Sequence, residues 1–392
     1  MTDAGMRAWR GPALFSFGFR PFFLFGALWA GLDAPIWVAS FIAGDGRVLG
    51  AAGRDWHVHE MLFGYLAAVM AGFLMTAVPN WTGRLPVTGW RLAGFFGLWA
   101  GGRLAMLLQA SLEPATAVLD SLFLVAFAAM IWREVIAGRN WKNLPVCAIV
   151  SLFALANIGF HLRGPVPALA DLAERLALAA PAMLISVIGG RVVPSFTRNW
   201  LAQQRATAMP AGAGRLDLAV LILTGAALLA WVAAPTALIA GALLTLAGLA
   251  NAVRLARWRG LASAREALVW ILHAGYAWLS LALLLLGASI LAPAIVPRTA
   301  GIHALTAGAF GVMTLAMMTR ASLGHTGRAR TADGVTTLIY LAVNAAALTR
   351  VAAALAPLFQ SALLAAAAGL WSLAFLGFAA TYGPTLVRPR AA

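Results

Sequence analysis

The sequence predicts an all-α, polytopic membrane helix bundle of about twelve transmembrane helices, and three observations carry that reading. The 392-residue chain is 62% hydrophobic and 10% charged, with a mean hydropathy of +0.86, whereas soluble domains run near 45–50% apolar and about 25% charged. Apolar runs of about twenty residues, enough to cross the hydrocarbon core, recur along its whole length. The arginines and lysines between those runs alternate between crowded and sparse gaps, as they do when successive gaps face opposite sides of a membrane.

Breaking the chain at its Gly, Pro and Arg clusters gives the spans in order: 20–43, 57–80, 89–110, 115–136, 143–162 and 172–194, then 216–233, 235–256, 266–290, 299–322, 333–355 and 358–384. Tight turns at Pro114, Pro235 and Pro357 join neighbouring runs. The longest polar interruption, SFTRNWLAQQRATAMPAGAGRL from 195, divides one integral-membrane domain (1–392) into two sets of six spans, 1–194 and 216–392, joined by a cytoplasmic loop at 195–215. No cleavable signal sequence is read in the first 15 residues. Trp37, Trp56, Trp81, Trp90, Trp141 and Trp200 fall at or near span ends, where indoles form interfacial belts.

With both termini inside, the inner loops and tails carry 21 of the 28 basic residues, from Arg7, Arg10 and Arg20 to Arg388 and Arg390. The outer side carries 6 (Arg47, Arg54, Arg163, Arg175, Arg298 and Arg350), and Arg103 falls within span 3. Cytoplasmic segments are enriched in Lys and Arg, so this split orients the chain in a bacterial inner membrane. The net charge of +15 therefore reads as a topology signal and lipid-headgroup contact, not as a nucleic-acid surface. The single cysteine, Cys147, excludes a disulfide framework and any Cys-based metal cluster.

A faint internal repeat is also legible. At an offset of 244 residues His59 falls on His303, Gly64 on Gly308, and Thr82-Gly83-Arg84 on Thr326-Gly327-Arg328. VVPSFTRNW in span 6 loosely echoes AVPNWTGR after span 2, so three related four-helix units are expected.

Ionisable groups inside membrane segments are rare and commonly functional, which makes the six histidines informative. His57 and His59 open span 2, His161 closes span 5, and His303 lies in the first turns of span 10. The derived topology places all four toward the outer side. Neutral imidazole ligates haem iron, copper and zinc. His59 and His303 share a depth of roughly 10–14 Å from mid-membrane on helical rise, which would let them ligate one haem iron from opposite faces. Residues i and i+2 do not share a helix face, so His57 serves a different site from His59 or precedes the helix. His57 and His161 are candidate metal ligands, with Glu60 fixing an imidazole tautomer. The interfacial anchor is the plain alternative for His57 and His161. Asp33, Asp120, Asn157, Asn344 and Arg103 form a second polar layer, for which aspartate–arginine pairing within the bundle is expected.

The stretch HVHEMLFGYLAAVMAGFLMTAVPNWTGR, with IGGRVVPSFTRN and GIHALTAGAFGVMTLAMMTRASLGHTGR, resembles the NnrS family of bacterial membrane proteins of the nitric-oxide response. The resemblance covers essentially the whole chain. It implies haem b, with copper as a further metal, and a role in nitrosative stress during denitrification or host attack. It also implies nitric oxide or a related small molecule as partner, an electron donor, and either an oxidoreductase or a binding protein. A weaker likeness is to the catalytic subunit of haem–copper oxidases and nitric-oxide reductases, which holds a low-spin haem between spans 2 and 10. This chain departs from that pattern at Gly301 and in having no histidine in spans 6 and 7. A secondary transporter is the alternative reading, since twelve spans in two sixes is common there too; histidines gathered near one face argue against it.

The alternation of charge makes one direct forecast. A reporter active only in the periplasm stays silent when fused at Ala392, and activity there would move every histidine to the other face.

Overall fold

The computed structural model describes residues 9–44, 47–48, 51–108 and 114–390; Arg7 and Ala392, used above for orientation, lie outside the described residues. Among the described residues there are twelve long helices: α1 Phe19–Ala43, α2 Gly53–Thr82, α3 Gly89–Leu107, α4 Ala115–Ala137, α5 Leu144–His161 and α6 Ala168–Gln203, then α7 Arg215–Ala233, α8 Leu238–Ala256, α9 Ala267–Leu291, α10 Arg298–His325, α11 Gly334–Leu355 and α12 Gln360–Val387. They follow the twelve apolar runs one for one. Residues Arg47–Val48 and Ala51–Ala52 form a two-residue antiparallel hairpin before α2.

Eleven of the twelve helices are long and apolar enough to cross a bilayer. The exception is α3, whose Arg91 and Arg103 lower its hydropathy. Most boundaries shift by a few residues, and the largest difference is at α6, which does not stop at 194 but stays helical through the polar segment SFTRNWLAQ to Gln203. Backbone hydrogen bonds within a helix satisfy themselves, so a helix can run on into polar sequence without cost.

The chain forms two compact units. The first comprises Met1–Ala177, Met318–Ala329 and Phe375–Ala392; the second comprises Leu178–Met317 and Arg330–Ala374. In the first, α1 lies close along α2, with Gly26 against Ala68 and Gly72 against Phe23. In the second, Gly241, Gly248 and Gly287 bring α8 and α9 together, the small-residue contact that lets membrane helices approach. Arg254, in the last turn of α8, is buried there. Its Nε donates to Asp217 Oδ1 at 2.9 Å, and Nη1 donates to the Ser186 carbonyl and Tyr276 hydroxyl, both at 2.9 Å.

The internal repeat has a backbone counterpart. Both α2 and α10 contain a π-helical turn, Glu60–Leu66 and Ala304–Phe310, and the two turns are offset by the same 244 residues. In each, the closing N–H reaches back five residues, from Ala67 to Leu62 and from Gly311 to Thr306. The left-handed glycines Gly83 (φ 71°) and Gly327 (φ 78°) occupy the same register beyond. π-Turns in α-helices are rare and concentrate at functional sites.

α11 is capped by Asp333, whose carboxylate accepts from Thr336 N at 2.7 Å. Hydrogen bonds from Thr336 hold this carboxyl below the usual aspartate range. Its depressed folded-state value means that the cap stabilises above the unfolded aspartate pKa and weakens as pH falls below it. Asp333→Ala should cost about 1 kcal/mol near neutral pH, a loss that shrinks in thermal unfolding repeated under acid conditions.

Candidate metal centre

Four helices of the first unit, α2 to α5, converge on one buried carboxylate with α1 alongside, and the turn period of a helix explains which residues meet there. Residues four apart share a face. α2 therefore presents His59 with Phe63 and Glu60 with Gly64, α3 presents Trp99 with Arg103, and α5 presents Asn157 with His161. α4 supplies Asp120, and α1 supplies Trp29 with Asp33.

Asp120 is 2% exposed. Its Oδ2 lies 3.0 Å from His59 Nε2 and 2.9 Å from His161 Nε2, and it accepts from Asn157 Nδ2 at 2.9 Å. Its Oδ1 accepts from Arg103 Nη2. His59, fully buried, turns its other nitrogen, Nδ1, to Glu60 Oε1 at 2.8 Å. Asn157 Oδ1 lies 3.2 Å from His59 Nε2. The rings of Phe63 and Phe160 pack at 5.2 and 5.3 Å from that of His59, and the Arg163 guanidinium covers Phe160 at 4.1 Å.

Gly64 makes the arrangement possible. A Cβ at this position would stand 2.5 Å from Arg103 Nη1 and 3.0 Å from Glu60 Oε2, closer than real side chains come. The Gly64 carbonyl accepts from Trp99 Nε1 at 2.9 Å, so α3 is tied to the π-turn twice, by an indole N–H on the carbonyl and by a guanidinium over the glycine.

Charge completes the description. Glu60 and Asp120 bring two negative charges and Arg103 one positive, leaving one negative charge among neutral imidazoles. Buried charge is retained only when paired or coordinated. A second ring proton on His59, donating to a carboxylate on each side, a proton on one carboxyl, or a cation among the ligand atoms would each remove it. His59, Asp120 and His161 each offer one such atom, all within 4.8 Å of one another. Two imidazole nitrogens and a carboxylate oxygen suit copper, zinc or iron(II).

The sequence-predicted residues distribute as follows. His59, Glu60 and His161 come together. His57 stands apart from them: its Nδ1 meets Asp33 Oδ1 at 2.7 Å and its ring stacks on Trp37 at 4.4 Å. His303 belongs to the second unit and is half-buried at the start of the other π-turn, where its Nδ1 donates to the Thr299 carbonyl at 2.7 Å. His273 bonds Thr197 through Nε2 at 2.8 Å, and His325 packs on Phe17 and Phe19. Sequence reasoning did not single out Asp120 as the hub, nor Asn157 and Arg103 as its supports. The available signal was their polarity within apolar runs.

A sequence model of the NnrS protein family matches residues 13–390. No curated protein and no solved structure matches the chain.

The glycine contact forecasts a non-additive pair. Breaking a buried ion pair by removing one partner costs about 3–5 kcal/mol, so Arg103→Ala should destabilise the detergent-solubilised protein by that order. Gly64→Ala should be comparably damaging in the native background yet mild when Arg103 is already alanine. Equal costs in both backgrounds, measured by thermal unfolding, would show that the glycine is not there for the guanidinium.

Proposed function

We propose that this chain, which belongs to the NnrS family, is a metal-binding protein of the bacterial inner membrane that acts in the response to nitric oxide, with copper held by His59, Asp120 and His161. The observation that carries the reading is the convergence of two imidazoles and one carboxylate on a single buried point. The donor set fits the metal: imidazole is a preferred ligand of copper, and the carboxylate lowers the net charge of the site. Copper bound there would supply a centre that takes up nitric oxide or a related nitrogen oxide and exchanges an electron with it or with a donor.

The chain's own residues prepare that point. Glu60 accepts from Nδ1 of His59 and so leaves Nε2 as the ligating nitrogen. This is the usual role of a carboxylate behind a metal-bound histidine. Arg103 engages Oδ1 of Asp120 and leaves Oδ2 for the metal. Asn157 lies beside both His59 Nε2 and Asp120 Oδ2 and steadies their spacing. Phe63 and Phe160 exclude bulk water from the imidazole face, while the family context and the charge alternation together favour both termini inside.

Haem b is proposed as the second cofactor, on the observation that His59 and His303 each stand immediately before a π-turn at matched register. In a neutral ring, the bond from His303 Nδ1 to the Thr299 carbonyl places the proton on Nδ1 and leaves Nε2 unprotonated. An axial pair of His59 with His303 would use the same His59 Nε2 as the copper site, because Glu60 holds Nδ1. The two assignments of His59 are therefore exclusive, and a spectrum decides between them.

Elemental analysis of purified protein should give bound copper that falls sharply in His161→Ala and Asp120→Asn, and about 10–100-fold weaker binding in Glu60→Gln. If haem is instead held by His59 and His303, the dithionite-reduced protein shows a six-coordinate low-spin spectrum that neither single alanine variant keeps, and His161→Ala leaves it unchanged. Wild-type protein with neither metal nor haem overturns both.

A further inference from the structure

The candidate centre lies inside the bundle, and a line of contacts leads from it to an aqueous end. Asp55 precedes His59 by one turn of α2 and shares its face, on the side that the charge alternation assigns to the outside. From the fully buried His59 the contacts run outward through Phe160, whose ring lies 5.3 Å away, to the Arg163 guanidinium 4.1 Å over that ring. Arg163 Nη2 in turn meets Asp55 Oδ2 at 3.2 Å. Exposure climbs along the same line. Phe160 is 4% exposed, and the side chains of Arg163, Asp55 and Arg54 are 27%, 37% and 64% exposed.

The charges at this end form a chain across three segments of the first unit. Arg163, in the loop after α5, pairs with Asp55 on α2. Arg54 donates to Asp55 Oδ1 at 3.3 Å and to both carboxylate oxygens of Glu174 on α6, at 2.9 and 2.8 Å. The alternation Arg163–Asp55–Arg54–Glu174 carries no net charge. It ties the start of α2, the α5–α6 loop and the first turns of α6 together above Phe160. Four charges side by side mark this end as aqueous, since hydrocarbon would not hold them.

Exposed ion pairs hold weakly and are screened by salt. The groups around Asp120, by contrast, are buried and bonded to one another. The outer chain is therefore the part above the centre that opens at least cost, by rotation of side chains alone.

We propose that this chain of ion pairs is a latch over the candidate centre, through which metal ions load from the outer aqueous phase. The cost of desolvation bars a hydrated cation from the lipid side of the bundle, so a metal bound by His59, Asp120 and His161 has to come in from an aqueous end. Nitric oxide is small and uncharged and needs no such opening. The latch therefore separates two kinds of traffic, governing the metal and leaving the gas free. While it is closed, two guanidiniums at the rim repel a cation. Release of Asp55 from Arg163 uncovers a carboxylate one turn outward of His59, a first ligand on the way in. The latch itself stands on the geometry of the four side chains, and its role in metal loading rests on the copper reading.

The latch is tested on the metal-free full chain in lipid nanodiscs by labelling with diethyl pyrocarbonate, read at each histidine by peptide mass spectrometry. Asp55→Asn keeps the shape of the side chain and removes its charge. It should speed labelling of His161 about fivefold, the scale of an exposed ion pair. Glu174→Gln, at the far end of the chain, should give a smaller rise. Asp171→Asn, whose partner Arg175 lies 3.9 Å away along α6, should give none. Labelling of His57, held by Asp33 and Trp37, should stay constant throughout. Wild-type labelling of His161 should also rise at about 1 M salt, where the Debye length falls to about 3 Å, and Asp55→Asn should lose most of that response. Equal rates in wild type and Asp55→Asn at low salt, or an equal salt response in both, overturn the latch. Co(II) uptake should follow the same order among the variants. Labelling that responds while Co(II) uptake does not overturns this loading route. Wild-type protein that takes up no Co(II) sinks the metal reading, and the latch then stands or falls by the labelling.

Discussion

A carboxylate sealed among apolar helices is the constraint from which the first unit is built. Asp120 has no bulk solvent to lean on, and an isolated ion in such surroundings would cost many kcal/mol. Every neighbour that touches it therefore has a prescribed chemistry: a guanidinium on one oxygen, an amide and two imidazoles on the other. Those groups come from three other helices, and each must reach the same point in the same rotamer. Packing and charge satisfaction thereby become one requirement. Gly64 shows the tightness of the solution, because one methyl group would expel the guanidinium on which the carboxylate depends.

The π-turn explains how one helix serves so many partners. A regular helix repeats its face every three or four residues, and the extra residue in the turn swings the following segment around. His59 and Glu60 thus look into the polar site while the helix below continues its packing against α1. The second unit repeats the same backbone device at Gly308 without the carboxylates. There the Trp278 indole and the Asn344 amide close the position, and the result is an ordinary packed contact. The same local geometry thus yields a polar centre or a structural joint according to what stands opposite the glycine.

Much of this was legible in the residues. The twelve apolar runs became the twelve helices because hydrocarbon leaves the backbone no choice but to satisfy itself. The turns at Pro235 and Pro357 appeared where neighbouring runs were split, while the stretch leading into Pro114 lies outside the described residues. The offset that relates His59 to His303 announced two matching π-turns, although nothing in periodicity says that a turn will be π rather than α. The partners of the histidines were harder to see. Asp120, Asn157 and Arg103 were visible as polar residues in apolar runs, but they lie 61, 98 and 44 positions from His59 in the chain, and their convergence depends on how four helices pack. Arg254 posed a similar difficulty, because its charge alone could not reveal Asp217 waiting on the preceding helix. Helix α6 ran past its expected end because hydropathy marks where lipid stops, not where hydrogen bonding does.

The low hydropathy of α3 carries a consequence for how the protein is made. A lone arginine at the middle of a nascent span is unfavourable to partition from the translocon by roughly 2.5–3.5 kcal/mol. Glu60 of the preceding α2 lies beside Arg103, but the carboxylate that accepts a hydrogen bond from its guanidinium, Asp120, arrives only when α4 has been synthesised. Partitioning of α3 is therefore thermodynamically coupled to its successor, and the two favour integration as a hairpin rather than one after the other. The ion pair at the heart of the mature site thus doubles as an assembly signal, read during synthesis before any metal or ligand could be present.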